Sequence, residues 1–204
     1  MIRIVDYGVG NIQAFVTMFK RLGYAAERAR SPDDLADASR LILPGVGAFD
    51  NAMQLLNQSG MRQHLESMVL RQQVPVLGVC VGMQMLASGS DEGVLPGLNW
   101  IPGSVRAFAS TPESAQLPMP HMGWNDLQIK PEADLFRGFD PQPQFYFLHS
   151  YYFACDDQAH SVATVTYGQK FDCVVSKGHI HGVQCHPEKS HHSGAQLLKN
   201  FAEL

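Results

Sequence analysis

The sequence predicts an α/β protein, a three-layer, doubly wound and mostly parallel central sheet whose C-terminal part is more antiparallel. Three observations predict it. Short apolar runs alternate with stretches of helical periodicity through the first half. Two of those runs end in glycine-containing turns, where doubly wound sheets place ligands. Extended, β-branched and aromatic runs then dominate the second half.

Taken in order, Ile2 to Val5 reads as a first strand. Ile12, Phe15, Val16, Phe19 and Leu22 recur at helical spacing, with Asn11 placed to cap that helix and Gly23 to end it. Tyr24 to Ala29 reads as a second strand. Ser31-Pro32-Asp33-Asp34 opens a short helix, with the serine as cap and the proline at its first position. Arg40 to Leu43 is a buried strand stopped by Pro44. Phe49 to Leu56 and Met61 to Leu70 are helical, Val74 to Val79 is the next strand, and Met83 to Ala87 begins the helix after it. Asn99 to Val105 reads as a hairpin or turn, and Thr111 to Pro120 as a loop. Leu127 to Ile129, Phe145 to Phe153, Ser161 to Tyr167, Cys173 to Ser176 and His179 to Cys185 are extended. A last helix covers about Ser193 to Ala202. No linker or repeat interrupts the chain, so residues 1–204 are expected to form a single domain.

Composition narrows the function. Fifteen basic against 19 acidic residues give a net charge of -4. No basic stripe forms, so nucleic acid is not an expected partner. The longest apolar stretch, Val74 to Ala87, is too short and too interrupted to cross a bilayer. The N-terminus lacks the pattern of a signal peptide. The four cysteines are expected as reduced thiols and the protein as a cytoplasmic one.

The chemistry starts at Gly78-Val79-Cys80-Val81-Gly82. A strand turning sharply into a helix presents its turn residue above the sheet, the arrangement of a nucleophile elbow. Helix N-terminal amides and a nearby histidine both favour the thiolate. The N–H of Val81 is then the natural first oxyanion donor. A structural cysteine in a glycine-rich turn is the competing reading. His186-Pro187-Glu188 supplies a base and an orienter two residues apart, the proline stiffening the spacing. In isolation a loop histidine beside a surface glutamate would be the plainer reading, so the two motifs argue together. Pro44-Gly45-Val46-Gly47 offers either a second oxyanion donor or an ordinary strand-to-helix turn. His179 and His181 would share one strand face, which suits chelation, and His186, His191, His192 and Cys185 follow. No closed ligand spacing appears among them, so neither a metal nor another cofactor is expected.

With these motifs on the page, the chain resembles the class I (triad) glutamine amidotransferases, a flavodoxin-like fold. More narrowly it is similar to the family of glutaminase subunits of imidazole glycerol phosphate synthase. The matching segments are Asp6 to Asn11, Pro44 to Phe49, Gly78 to Gln84, His121-Met122-Gly123-Trp124-Asn125, Phe145 to Tyr151 and Val183 to Ser190. The resemblance implies Cys80 as nucleophile, His186 as general base and then acid, and Glu188 as orienter. It implies oxyanion donors at Val81 and near Val46. It implies glutamine held by Gln84 and by the backbone of Gly47, Ser150 and Tyr151, and a partner interface near Lys189. It further implies a heterodimer with a cyclase-type (β/α)8 barrel that receives the ammonia and makes imidazole glycerol phosphate and AICAR in histidine biosynthesis. Cys185, His181 and His179 stand where this family usually has phenylalanine, an apolar or aromatic residue, and asparagine. Three alternatives remain open: the same chemistry feeding another ammonia-accepting synthase, such as one that amidates surface-polysaccharide sugars; a cysteine hydrolase acting on other substrates; and a non-enzymatic metal-binding or regulatory module.

Overall fold

The structure is a computed structural model that describes all residues except 115, 132 and 141. Residue 115 of the Thr111 to Pro120 loop therefore lies outside the description. Twelve strands are described, ten of them in one sheet. Its parallel half is formed by β1 (Ile2–Val5), β2 (Ala26–Ala29), β3 (Arg40–Gly45), β4 (Val76–Cys80) and β12 (Ile180–Val183), in the order β2-β1-β3-β4-β12. The helices α1 (Ile12–Arg21), α2 (Phe49–Gln58), α3 (Arg62–Glu66), α4 (Val81–Gln84) and α5 (His191–Glu203) complete the α/β alternation. The antiparallel half continues through β11 (Gln169–Lys177), β10 (Ser161–Tyr167) and β7 (Gln128–Ile129). β9 (Tyr151–Cys155) joins β11 and carries β5 (Gly103–Ala107). β6 (His121–Asp126) and β8 (Gln144–His149) form a separate two-stranded sheet.

The central strands β3 and β4 are buried almost end to end. Both faces of a parallel sheet are covered by helices, so its strands read as continuous apolar runs. Phe15 and Phe19 of α1, Phe49, Met53 and Leu56 of α2 and Leu197, Leu198 and Phe201 of α5 are fully or almost fully buried.

Several boundaries differ from the sequence expectation for definable reasons. β3 runs through Pro44 to Gly45, because pairing with β1 ends at Ile42 and the missing proline N–H is not needed on that side. Asn11 sits at the N-cap of α1 but makes no side-chain capping bond. Gly23 does end that helix, at φ +85°, with Gly23 and Tyr24 N–H groups bonded to Lys20 and Phe19 carbonyls. The helix after Cys80 starts at Val81 and stops at Gln84, earlier and shorter than Met83 to Ala87. The extended run from Phe145 to Phe153 is broken at Ser150 into β8 and β9, which belong to different sheets. β11 is longer than expected, and the segment after Trp100 is a single strand, β5, rather than a hairpin.

Candidate active site

Three adjacent parallel strands deliver the chemistry to one place. In register, Gly45 at the end of β3 sits beside Cys80 at the end of β4, and Val79 sits beside Val183 at the end of β12. The turns that follow carry Val46 and Gly47, Val81, and His186. All of these line one cavity of about 300 Å³, together with Cys80, Gln84, Ser150, Tyr151 and Lys189. That volume is at the small end of ligand-binding pockets.

Cys80 adopts φ +56°, ψ -114°, a conformation L-residues avoid. Strain of this kind, about 1–3 kcal/mol, is held where the surrounding fold over-determines the backbone. Here the constraint is glycine packing. A Cβ on Gly82 would strike the Leu43 carbonyl oxygen, and one on Gly78 would lie 2.6 Å from the Gly82 carbonyl oxygen. A Cβ on Gly45 would collide with the Gly82 N–H. The backbones of β3, β4 and α4 are thus in direct contact, and the sharp turn at Cys80 follows. The Pro44–Gly47 turn is held from the other side, where the Tyr7 hydroxyl donates to the Pro44 carbonyl at 2.6 Å. Gly47 takes φ +82°.

His186 and Glu188 are 4% or 5% exposed at their side chains, and Nδ1 of the imidazole is 2.8 Å from Oε1 of the carboxylate. The segment between them is clamped. The His186 N–H donates to the Tyr146 carbonyl, and the Ser190 hydroxyl donates to the His186 carbonyl while accepting from the Tyr146 N–H. Gly194 of α5 packs so closely that a Cβ there would strike the Pro187 carbonyl. Glu188 Oε2 is buried without a partner among the described residues. Burial opposes a charged His186 ring, but hydrogen bonds and charge attraction to Cys80 and Glu188 outweigh it and push its pKa to about 10. The ring is therefore protonated at neutral pH and loses its proton as pH rises through about 10. Cys80→Ala removes the first of those two partners. An NMR titration of His186 in that variant should show the pKa lowered toward the ordinary 6.5, and an unchanged value would deny the pairing.

Every residue singled out from the sequence as catalytic, oxyanion or substrate-binding borders this cavity except Glu188, which lies behind His186; Lys189 borders it too, its ammonium 5.8 Å from the centre of the Tyr146 ring. The histidine-rich segment does not converge. His179 lies in the turn before β12, not on the strand, and its Nε2 is 2.7 Å from the Val69 carbonyl; His181 Nδ1 is 2.8 Å from the Ser176 hydroxyl. Burial pushes the His181 pKa down to about 4. Among the described residues no three histidine, cysteine or acidic side chains are grouped as a metal site. No helix there is long and apolar enough to cross a membrane.

The structure adds groups that sequence reasoning left unassigned. Gln184 Nε2 is 3.8 Å from Cys80 Sγ. Gln84 Nε2 donates to the Tyr151 carbonyl and to Gln184 Oε1. The Tyr151 carbonyl, an expected substrate contact, is therefore already engaged inside the protein. Glu92 also borders the cavity and accepts from the Phe49 N–H at 2.8 Å. Of the two unassigned residues, Gln184 and Glu92, only Gln184 lies in a motif read for function, where the signal is carried by its neighbour His186.

A family model described as glutamine amidotransferase class-I matches residues 3–204. "Imidazole glycerol phosphate synthase subunit HisH" of Bdellovibrio bacteriovorus is 55% identical, with all of each chain covered. The protein of the same name from Leptospira interrogans is 44% identical, and HisH 2 of Pseudomonas aeruginosa 45%, again over all of each chain. A solved glutamine amidotransferase superposes with TM-score 0.76 over 99% of this chain and 97% of its own, at 19% identity, a likeness of fold.

Proposed function

The chain belongs to the class-I glutamine amidotransferase family and, within it, to the HisH subunits of imidazole glycerol phosphate synthase, and on that premise we propose the following reaction at its cavity. Glutamine is hydrolysed to glutamate and ammonia, and a cyclase-type (β/α)8 barrel partner receives the ammonia in histidine biosynthesis. Residues 1–204 act as one domain. The observation that carries the reading is the meeting of a strained Cys80 with His186 in a single cavity, the imidazole backed by the buried carboxylate of Glu188.

The steps follow from that meeting. The Cys80 thiolate attacks the side-chain amide carbon of glutamine, forming a C–S bond while the carbonyl electrons move onto oxygen. The N–H of Val81 and a donor of the Val46 turn face that oxyanion. His186, held by Glu188, gives its proton to the departing nitrogen as the C–N bond breaks, and ammonia leaves a thioester. His186 then takes a proton from water, which attacks the thioester and releases glutamate. Gln84 and the backbone of Gly47, Ser150 and Tyr151 hold the substrate's other end.

A partner surface has physical support. Val46 at 41%, Met122 at 65% and Trp124 at 45% are unusually exposed for large apolar residues. Val46 and Pro120 border the cavity, while Met119 and Met122 flank Pro120 and His121 in sequence. Trp124 stacks on His191 at 5.2 Å and 7°. An apolar rim around a reactive mouth is what a docked subunit covers, and Lys189 stands beside it. Covering the mouth keeps ammonia from being protonated and lost in water.

The test is a glutaminase assay of the full chain with and without the barrel subunit. Turnover is expected to be low alone and to rise roughly 5- to 150-fold on complex formation with the barrel's ligand bound, the usual span of allosteric coupling. High steady-state turnover by the isolated chain would show that the Val46 turn needs no partner to set it.

A further inference from the structure

A chain of polar groups, buried except for a half-buried Asn125, runs from β6 to the sulfur of Cys80, and each of its hydrogen bonds has a fixed donor and acceptor. Asn125 begins it. Its Oδ1 accepts the Asp126 N–H at 2.9 Å, and its Nδ2 donates to the Thr166 carbonyl at 3.1 Å and faces His121 Nε2 at 3.4 Å. The amide orientation is fixed by those two backbone groups, so His121 Nε2 must accept. The proton of neutral His121 therefore sits on Nδ1, which is 3.0 Å from His149 Nε2. That nitrogen accepts in turn, and His149 carries its proton on Nδ1, 2.7 Å from the Tyr151 carbonyl. Burial keeps both rings neutral, with pKa values lowered to about 4 and about 3.

The same carbonyl receives Gln84 Nε2, whose second hydrogen goes to Gln184 Oε1. Two consequences follow. Gln84 has Oε1 left as its polar atom for a ligand in the cavity it borders. Gln184 has Nε2 left for Cys80 Sγ, at 3.8 Å.

We propose that Gln184 is a further catalytic residue, an N–H donor to the reacting sulfur, and that Asn125, His121 and His149 are positioning residues that hold the Tyr151 carbonyl on which the Gln84–Gln184 amide pair is anchored. The proposal rests on reading the cavity as a glutaminase site. A donor at the sulfur stabilises the thiolate before attack and after thioester hydrolysis. An acceptor at Gln84 Oε1 suits the ammonium of an amino-acid substrate.

Asn125→Asp tests the polarity from the far end, at a half-buried position the mechanism does not use. A carboxylate oxygen facing His121 Nε2 demands a proton there. The full chain, bound to its synthase partner, is labelled with 15N-histidine and observed by NMR at pH 7. The wild type should show Nδ1–H tautomers at His121 and His149, and Asn125→Asp should show a proton on His121 Nε2. Glutamine kcat/KM should fall about tenfold in Asn125→Asp, chiefly through KM. Gln184→Glu keeps the acceptor for Gln84 but sets a carboxylate against the sulfur. It should lower kcat more than it raises KM, and should slow iodoacetamide alkylation of Cys80 at pH 7. Nε2–H tautomers in the wild type would overturn the proposed polarity, whatever the enzyme hydrolyses. Unchanged alkylation in Gln184→Glu would overturn the role at sulfur. Correct tautomers with no glutamine turnover by the wild-type complex would instead refute the glutaminase reading.

Discussion

Cys80→Ala is expected to abolish glutamine hydrolysis, lowering kcat by a factor on the order of 10⁴ or more, because no other group near the cavity can form the thioester. Binding of glutamine should survive, since Gln84 and the backbone of the cavity are untouched. The measurement is ammonia release by the partner-bound complex beside glutamine binding by calorimetry. A residual rate within tenfold of wild type would remove Cys80 from the mechanism. The same position makes a less ordinary prediction about stability. Glycine in a strand normally costs about 0.5–1 kcal/mol relative to alanine. At φ +56° that order should reverse, so Cys80→Gly should unfold at a temperature no lower than Cys80→Ala. An ordinary order, with the glycine variant melting first, would mean that the turn holds no strain.

The second large effect is expected at Gly82. Its Cβ position coincides with the Leu43 carbonyl, a backbone atom of a central strand paired on both sides. Neither partner can retreat without parting β3 from β4 or unwinding α4. Gly82→Ala should therefore destabilise by about 3–5 kcal/mol, among the most severe single substitutions. At roughly 2–4 °C per kcal/mol for a chain of this size, melting should drop by about 6–20 °C. Gly89→Ala is the control, because nothing lies within 4 Å of its Cβ position. It should melt within a degree or two of wild type. A Gly82→Ala variant as stable as that control would show that the close packing of the three backbones is dispensable.

How much of this was readable beforehand depends on how far apart the interacting groups are. The β1–α1–β2 start, the buried strands β3 and β4, and the elbow at Cys80 rest on local signals: periodicity, caps and paired glycines. The His186–Glu188 pair is legible for the same reason, since its two members are two residues apart. The β8–β9 break is not. Phe145 to Phe153 is one run of mostly aromatic and apolar residues, and nothing in such a run reveals that the chain changes sheets at Ser150. β6 carries no ordinary strand signal because its polarity is inverted: Met122 and Trp124 are exposed while His121 is buried. The contact of Gln184 with Cys80 joins residues 104 positions apart and depends on β12 pairing beside β4. The His121–His149 bond likewise depends on the register of β6 against β8. Buried polar groups of this kind carry no sequence period, so only the assembled fold identifies them.

The pairing of β4 with β12 also has a consequence for the life of the polypeptide. Cys80, the proposed nucleophile, is synthesised first, and His186, its proposed base, follows the last strand to be made. Until β12 docks along β4, Cys80 has neither the imidazole nor the Gln184 amide beside it. A nascent or partly unfolded molecule thus holds an unarmed thiol, and it cannot squander glutamine before the sheet is complete. Catalytic competence reports on a pairing of residues 104 positions apart.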